Sequence, residues 1–389
     1  MPSLYWIKKA PWAALIAAVL VIWIDSKLFE DRELWLKLRA RLEALPEPVV
    51  RLELGITKDI LQLKNMRDAP PEMRRLIILG NSRARVGLNL RNLRDDDILQ
   101  AKIAHAGVSP YVMRTFAKEG AALSPDLVVL MLSELDTHRP VELVPGACFR
   151  SAAALGQLLT SEPSLTWEQR HEVEQVAVGA FLNSYRYGDI LDRAYLNDFR
   201  EIRIQEEEPA SKRQDQRRGR VIPRKQLVVE ADNARFRVRR ISEPDVPPPP
   251  IENIEEIRAE LAKSFKRKKI QNSTLNIGYA IAFGPHVETQ RDLIEKTIEI
   301  FTNAGSKVLI VEGPLNPLTY LLYDEESTRS DFLAFVEKMK MEYGVHFQSI
   351  DETGPYVPKD FSDLLHLKGT SARKLSADVR KRVVELLDG

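Results

Sequence analysis

The sequence predicts an α/β chain. A three-layer parallel sheet with helices on both faces carries a large insertion, and one N-terminal transmembrane helix precedes it. Three observations lead there. Short continuous apolar runs recur at Arg75–Gly80 (RLIILG), Asp126–Leu132 (DLVVLML) and Lys307–Val311 (KVLIV), as expected of strands buried on both faces. Segments of helical period alternate with these runs. Near the N-terminus, Ala10–Ile24 (APWAALIAAVLVIWI) is fifteen residues without a charge.

The apolar run sets the compartment. Leu4–Ile7 before it and Leu28–Phe29 after it extend the apolar region, which is broken by Lys8, Lys9, Asp25 and Lys27. A spanning helix needs roughly 20 mostly apolar residues, and snorkelling lysines can lengthen a short one. Trp6, Trp12 and Trp23 stand near the two ends, where indoles favour the headgroup layer. A cleaved signal peptide would also need a small-x-small cleavage site, and Ile22-Trp23-Ile24-Asp25 supplies none. The expectation is therefore an uncleaved single-pass anchor, residues 1–30. Lys8 and Lys9 place its N-terminus in the cytoplasm by the positive-inside rule. The main domain then lies outside the cytoplasm, in the periplasm of a two-membrane cell. A charged, Leu-rich stretch follows from Asp31 to about Asn65 and reads as a stalk helix within residues 31–70, or as an ordinary surface helix.

Each later element has its own signal. Arg75–Gly80 opens the sheet, and Gln100–Ala104 is a second strand ending at His105-Ala106-Gly107. Residues 110–122 have helical period, and Asp126–Leu132 is the third strand. Val287–Asn303 is a helix leading into the fourth strand at Lys307–Val311. Ser330–Tyr343 is a further helix, Val345–Ile350 a further strand, and Ala372–Leu387 a final amphipathic helix. The domain so defined runs from about residue 70 to 389.

Between the third and fourth strands lies an insertion at about 151–280. Residues 151–200 look helical. Residues 201–275 do not read as a packed core: Glu206-Glu207-Glu208 precedes seven Lys/Arg between Lys212 and Lys225, Pro247–Pro250 is a proline run, and Lys266–Lys269 is basic. Leu227–Val229 and Phe236–Val238 are short β-like pieces that need something to pack on. The segment reads as a solvated loop or as a docking arm, with an integral membrane protein as the favoured partner.

Composition limits the function classes. Lys+Arg 57 against Asp+Glu 56 gives a net charge of +1, so a globally basic nucleic-acid binder is excluded and no nucleic acid is expected. The single cysteine, Cys148, excludes an internal disulfide and multi-cysteine metal sites. Six histidines, with no Walker loop, no GxGxxG and no zinc spacing, leave no metal or cofactor to expect.

Two places carry chemistry. Leu79-Gly80-Asn81-Ser82 follows the first strand directly. A serine there, on a tight turn into a helix, stands in the crevice where parallel sheets hold ligands, although such serines are often only helix N-caps. Asp363 and His366, three residues apart, precede the last helix. A carboxylate beside a histidine fixes its tautomer, which activation of a serine requires. Arg83 and Arg85 follow the serine and are candidates for an anionic substrate, or else lie on a solvated helix face. His105 and His138 both follow strands.

These blocks resemble the SGNH (GDSL-like) hydrolase family, whose fold is flavodoxin-like. Gly80-Asn81-Ser82 matches the first block, with Asn where Asp is common, and Asp363-Leu364-Leu365-His366 matches the last. Gly107 matches the second. The phrases LIILGNSRARVGLNL and DFSDLLHLKGTSARKLS are similar to membrane-anchored SGNH-like proteins that work with membrane-bound O-acyltransferases. The resemblance implies Ser82 as nucleophile, His366 as base, Asp363 as its orienting carboxylate, and the N–H groups of Ser82 and Gly107 as oxyanion donors. The third block departs from the pattern. Where GxND is usual the chain reads Ser133-Glu134-Leu135-Asp136, and leucine cannot donate. Ser133, or His138 and Arg139 beyond it, could substitute; His138 and Arg139 are also candidate substrate contacts.

Two functions are therefore expected. One is a serine esterase or O-acyltransferase acting on acyl esters of a cell-envelope glycan or polymer, with an O-acyltransferase as a membrane partner. The other is a catalytically weak or inactive SGNH-like scaffold within a membrane complex.

Overall fold

The structure, a computed structural model, describes residues 4–45, 47–89, 97–104, 110–138, 181–195, 259, 263, 287–321 and 325–389. In chain order its elements begin with α1 (Leu4–Glu30), α2 (Arg32–Glu43), α3 (Glu47–Arg67), β1 (Arg74–Gly80), α4 (Ser82–Gly87), β2 (Ile98–Ala104) and α5 (Pro110–Ala121). There follow β3 (Leu127–Leu132), α6 (Glu134–His138), α7 (Asn183–Arg186), α8 (Gly188–Tyr195), α9 (Val287–Asn303) and β4 (Lys307–Glu312). The last are α10 (Glu325–Tyr343), β5 (His346–Gln348), α11 (Ile350–Thr353) and α12 (Gly369–Asp388), with short 3-10 turns at Pro317–Leu321 and Pro358–Asp360. The chain forms two compact units, one of Met1–Leu61 with Pro145–Arg239, the other of Gln62–Val144 with Arg240–Gly389.

In the first unit, every side chain described from Ala14 to Ile24 of α1 is exposed, right round the helix. Among the described residues, which in α1 include side chains only from Ala14 on, no helix is long and apolar enough to cross a membrane. Burial begins at Asp25, whose carboxylate accepts the N–H groups of Asn183 and of Ser184 (2.9 Å) at the start of α7. Phe29, Trp35 and Tyr187 form an aromatic knot: the Trp35 ring lies 5.7 Å from Phe29 and 4.8 Å from Tyr187, and its indole N–H donates to the Phe29 carbonyl at 2.8 Å.

The stalk expected as one helix is two, α2 and α3. Asp31 caps α2 by accepting the Glu33 N–H at 2.9 Å. Pro46 and Pro48 account for the division, since proline has no N–H to give a preceding turn and is tolerated only in a helix's first turn. Nor is α2 free in solvent, because Trp35, Leu38 and Leu42 are buried and α2 packs on α8. Residues 181–195 of the expected insertion thus belong with the N-terminal helices. The acidic, basic and proline runs and the β-like pieces of residues 201–275 lie outside the described residues.

The second unit is built on a five-stranded sheet of order β2-β1-β3-β4-β5, with every pair parallel. This α/β arrangement is compatible with a flavodoxin-like fold. β1 and β3 are buried almost throughout, which explains why they read as unbroken apolar runs rather than alternating ones. The pleat divides β1 between the two faces. Leu76 and Ile78 share a core with Val129, Leu309 and Val311 of the sheet and with Leu375, Val379 and Val383 of α12. Ile77 faces the other way, toward Gly120 and Phe301; a Cβ on Gly120 would meet their side chains at 3.1–3.2 Å, so α5 and α9 need glycine there to pack this close.

Boundaries differ from the expected ones in modest ways. β2 starts at Ile98 and α10 at Glu325, and β5 is only three residues long because Ser349 caps α11 with a capping box. β1 has β2 on one side and β3 on the other. The chain therefore reverses direction across the sheet at β1, and parallel sheets generally hold ligands beyond the C-terminal ends of the strands at such a point.

Candidate functional site

The turn after β1 is shaped by two residues. Gly80 has no room for a side chain: a Cβ there would lie 2.4 Å from the Ala84 Cβ. Asn81 caps α4, its Oδ1 accepting the Arg83 N–H at 2.8 Å while its carbonyl accepts the Arg85 N–H at 3.0 Å. Ser82 is thereby delivered as the first helical residue, half-buried just beyond the C-terminal end of β1. Gly80→Ala is expected to destabilise the unit by about 1–3 kcal/mol through overpacking and to displace Ser82. Adding Ala84→Gly removes the clashing atom, and thermal melts should show most of the loss recovered. A Gly80→Ala protein as stable as wild type contradicts this account.

The partner loop comes from the other end of the unit. Residues Asp360–Lys368 are pinched together: Phe361 and Leu367 form an antiparallel bridge, the Ser362 N–H donates to the His366 carbonyl at 2.8 Å, and the Lys368 N–H to the Asp360 carbonyl at 2.7 Å. Asn316, fully buried in the loop after β4, fixes the pinch from outside. Its Nδ2 donates to the Asp363 carbonyl at 3.1 Å and its N–H to the Leu364 carbonyl at 3.2 Å. The Thr319 hydroxyl adds a third bond, to the Leu364 carbonyl, at 3.0 Å.

Within that loop the His366 ring is bonded at both nitrogens. Nδ1 is 2.9 Å from Asp363 Oδ2 and 3.0 Å from Oδ1, and Nε2 is 2.8 Å from Ser82 Oγ. Residues 284 apart in sequence are in hydrogen-bond contact. Asp363 Oδ1 also accepts the N–H groups of Leu365 (2.8 Å) and His366 (2.9 Å). Burial works to raise the Asp363 pKa. The bonds from the His366 ring and from the Leu365 N–H, the nearby imidazole and the His366 N–H outweigh burial and hold the carboxyl below its ordinary range. Asp363 is thus a carboxylate near neutral pH, so Nδ1 carries the proton toward it. Nε2 is left as an acceptor for the Ser82 hydroxyl. His366 is 25% exposed and Asp363 42%, so the dyad is open to solvent and to a substrate.

The remaining sequence candidates divide. Arg83 is neither on a solvated face nor open to an anion. It is only 4% exposed and ion-paired to Asp136, which is 1% exposed, and it also donates to Ser133 Oγ and, at 3.5 Å, to the Gly313 carbonyl. Arg85 is exposed. Ser133 cannot stand in as an oxyanion donor, because it is fully buried with its Oγ against Arg83 and accepting the Leu135 N–H at 3.1 Å. Leu135 is itself buried. His138 is the last residue of α6. Gly107, His105 and Arg139 lie outside the described residues.

Sequence reading missed Asp136 and Asn316, both buried and both bonded to residues that flank or carry the dyad. The one signal for the first was a charged pair, Arg83 and Asp136, each lying just beyond a fully apolar strand. Asn316 had none, being one polar residue in a loop. Among the described residues, no group of His, Cys, Asp and Glu could hold a metal ion.

A family model matches residues 256–388, a stretch that contains β4, the Asp363–His366 loop and α12, and that family is uncharacterised. A search of curated proteins finds no match.

Proposed function

We propose that this chain is a membrane-anchored serine esterase or O-acyltransferase of SGNH-like type, acting outside the cytoplasm on acyl esters of a cell-envelope glycan or polymer. The observation that carries the reading is the continuous hydrogen-bond chain Asp363–His366–Ser82, with 2.9 Å at one ring nitrogen and 2.8 Å at the other. Nucleophile, base and orienting carboxylate in this order are what acyl transfer requires.

In the reaction, Ser82 Oγ attacks the acyl carbon as its proton passes to His366 Nε2. The tetrahedral adduct collapses, His366 returns that proton to the departing alkoxide, and an acyl-serine remains. Water or a sugar hydroxyl then gives its proton to Nε2 and attacks the same carbon; the second adduct breaks its bond to Ser82 Oγ, which takes that proton back from His366. The Ser82 N–H, and Gly107 by family resemblance, serve as oxyanion donors. The uniformly exposed apolar side chains of Ala14–Ile24 support the anchor, and the lysine pair before them supports a cytoplasmic N-terminus. An integral membrane O-acyltransferase fits as partner, since it would present acyl groups at the same surface.

One observation favours the scaffold reading instead. Leu135 stands where the family has an asparagine donor, and loss of one such donor typically lowers rates about 10²–10³-fold. Labelling with a fluorophosphonate probe decides between the two. The enzyme reading expects wild type to label and Ser82→Ala, equally folded by circular dichroism, not to. Folded wild type that resists the probe favours the scaffold.

A further inference from the structure

Ser82 stands between two residues bonded to the same buried carboxylate. Asn81 Nδ2 donates to Asp136 Oδ1 at 2.6 Å, and Arg83 Nη2 donates to Asp136 Oδ2. Asp136 Oδ2 also accepts the Ser133 N–H at 2.9 Å, which fixes the carboxylate to the exit of β3. Arg83 continues the chain to Ser133 Oγ and to the Gly313 carbonyl at the exit of β4, and the Gly313 N–H returns to the Leu132 carbonyl at 2.7 Å. The ends of β1, β3 and β4 are thus linked at one point, directly behind the serine.

Folding does not require such a pair. A buried ion pair loses hydration on both partners, and apolar residues of similar volume are often as stabilising. The charges here converge on the two neighbours of Ser82 and on the exits of β3 and β4. We infer that Asp136 is a positioning residue: with Arg83 it clamps both flanks of Ser82 and holds its hydroxyl in line with His366 Nε2. The inference rests on Ser82 being the acyl acceptor proposed above. It assigns the third block, which lacks the asparagine donor, a role in orienting the nucleophile.

The test measures fluorophosphonate labelling rates per folded molecule, with melting curves, for the full chain in detergent. Asp136→Asn keeps the shape but puts an amide donor where one oxygen met Arg83 or Asn81. It should label about 10²-fold more slowly, the loss typical of a misplacement near 1 Å. The midpoint of its pH–rate profile should stay at the wild-type value, because the Asp363–His366 contacts are untouched. Arg83→Lys, which keeps the charge, should fall between Asp136→Asn and wild type. Arg83→Met with Asp136→Leu replaces the pair by apolar bulk but leaves the Asn81 amide and the Ser133 N–H without their acceptor; it should melt below wild type and, per folded molecule, stay about 10²-fold slow. Overturning results are a double variant, or an Asp136→Asn protein, that labels at the wild-type rate, or a shifted pH midpoint. If wild type labels no faster than Ser82→Ala, the serine reading fails, and the clamp's role fails with it. If wild type labels normally and only the clamp variants match it, the clamp alone is wrong.

Discussion

Asp363→Asn is expected to slow acylation of Ser82 by roughly 10⁴-fold, the scale seen when a triad histidine is held in the wrong tautomer, while the loop stays folded. The geometry explains both halves. Asp363 Oδ1 accepts two backbone N–H groups, from Leu365 and His366, and the amide oxygen of asparagine can take that place. Its NH₂ must then occupy the site of Oδ2, 2.9 Å from His366 Nδ1. An N–H donor there forces Nδ1 to accept, moves the ring proton to Nε2, and leaves Ser82 no base. The same variant carries a stability signature. The native carboxyl is held below its ordinary range, so its contribution is present at neutral pH and is lost as pH falls through that lowered value. The melting difference between wild type and Asp363→Asn should therefore shrink on acidification. Labelling of the variant within a few-fold of wild type contradicts the proposed roles.

Trp35→Ala carries the largest expected loss of stability, about 3–5 kcal/mol for the removal of a buried tryptophan. The ring is 1% exposed, packs on Phe29 and Tyr187, and satisfies the Phe29 carbonyl. All of these partners belong to the first unit. The expected result is a loss of hydrogen-exchange protection in α7 and α8 with labelling of Ser82 little changed. Equal loss of labelling contradicts the assignment of Trp35 to the first unit's core alone.

The physics of each feature decided whether it was legible beforehand. β1, β3 and β4 announced themselves because strands buried on both faces must be apolar at every position. The two blocks of the candidate site were legible for a similar reason: Asn81 with Ser82, and Asp363 with His366, act over three residues or fewer, within reach of a sequence motif. The strand order was not written in any run; the expectation went no further than a flavodoxin-like parallel sheet. The Asp136 clamp was hidden because its bonds span 53 and 55 residues and exist only once β3 lies beside β1. Arg83 was misread as a solvated or substrate-facing cation because a charge after a strand is usually exposed. The division of the stalk was in plain view, in Pro46 and Pro48, but the leucine periodicity on either side outweighed it.

The separation of 284 positions between Ser82 and His366 also has a meaning in time. At synthesis rates of 5–20 residues per second, the serine leaves the ribosome roughly 15–60 s before its base exists. Through that interval Ser82 is an ordinary alcohol, and no partial product of translation holds both halves of the site. On the function proposed above, the topology itself keeps the chain inert during synthesis.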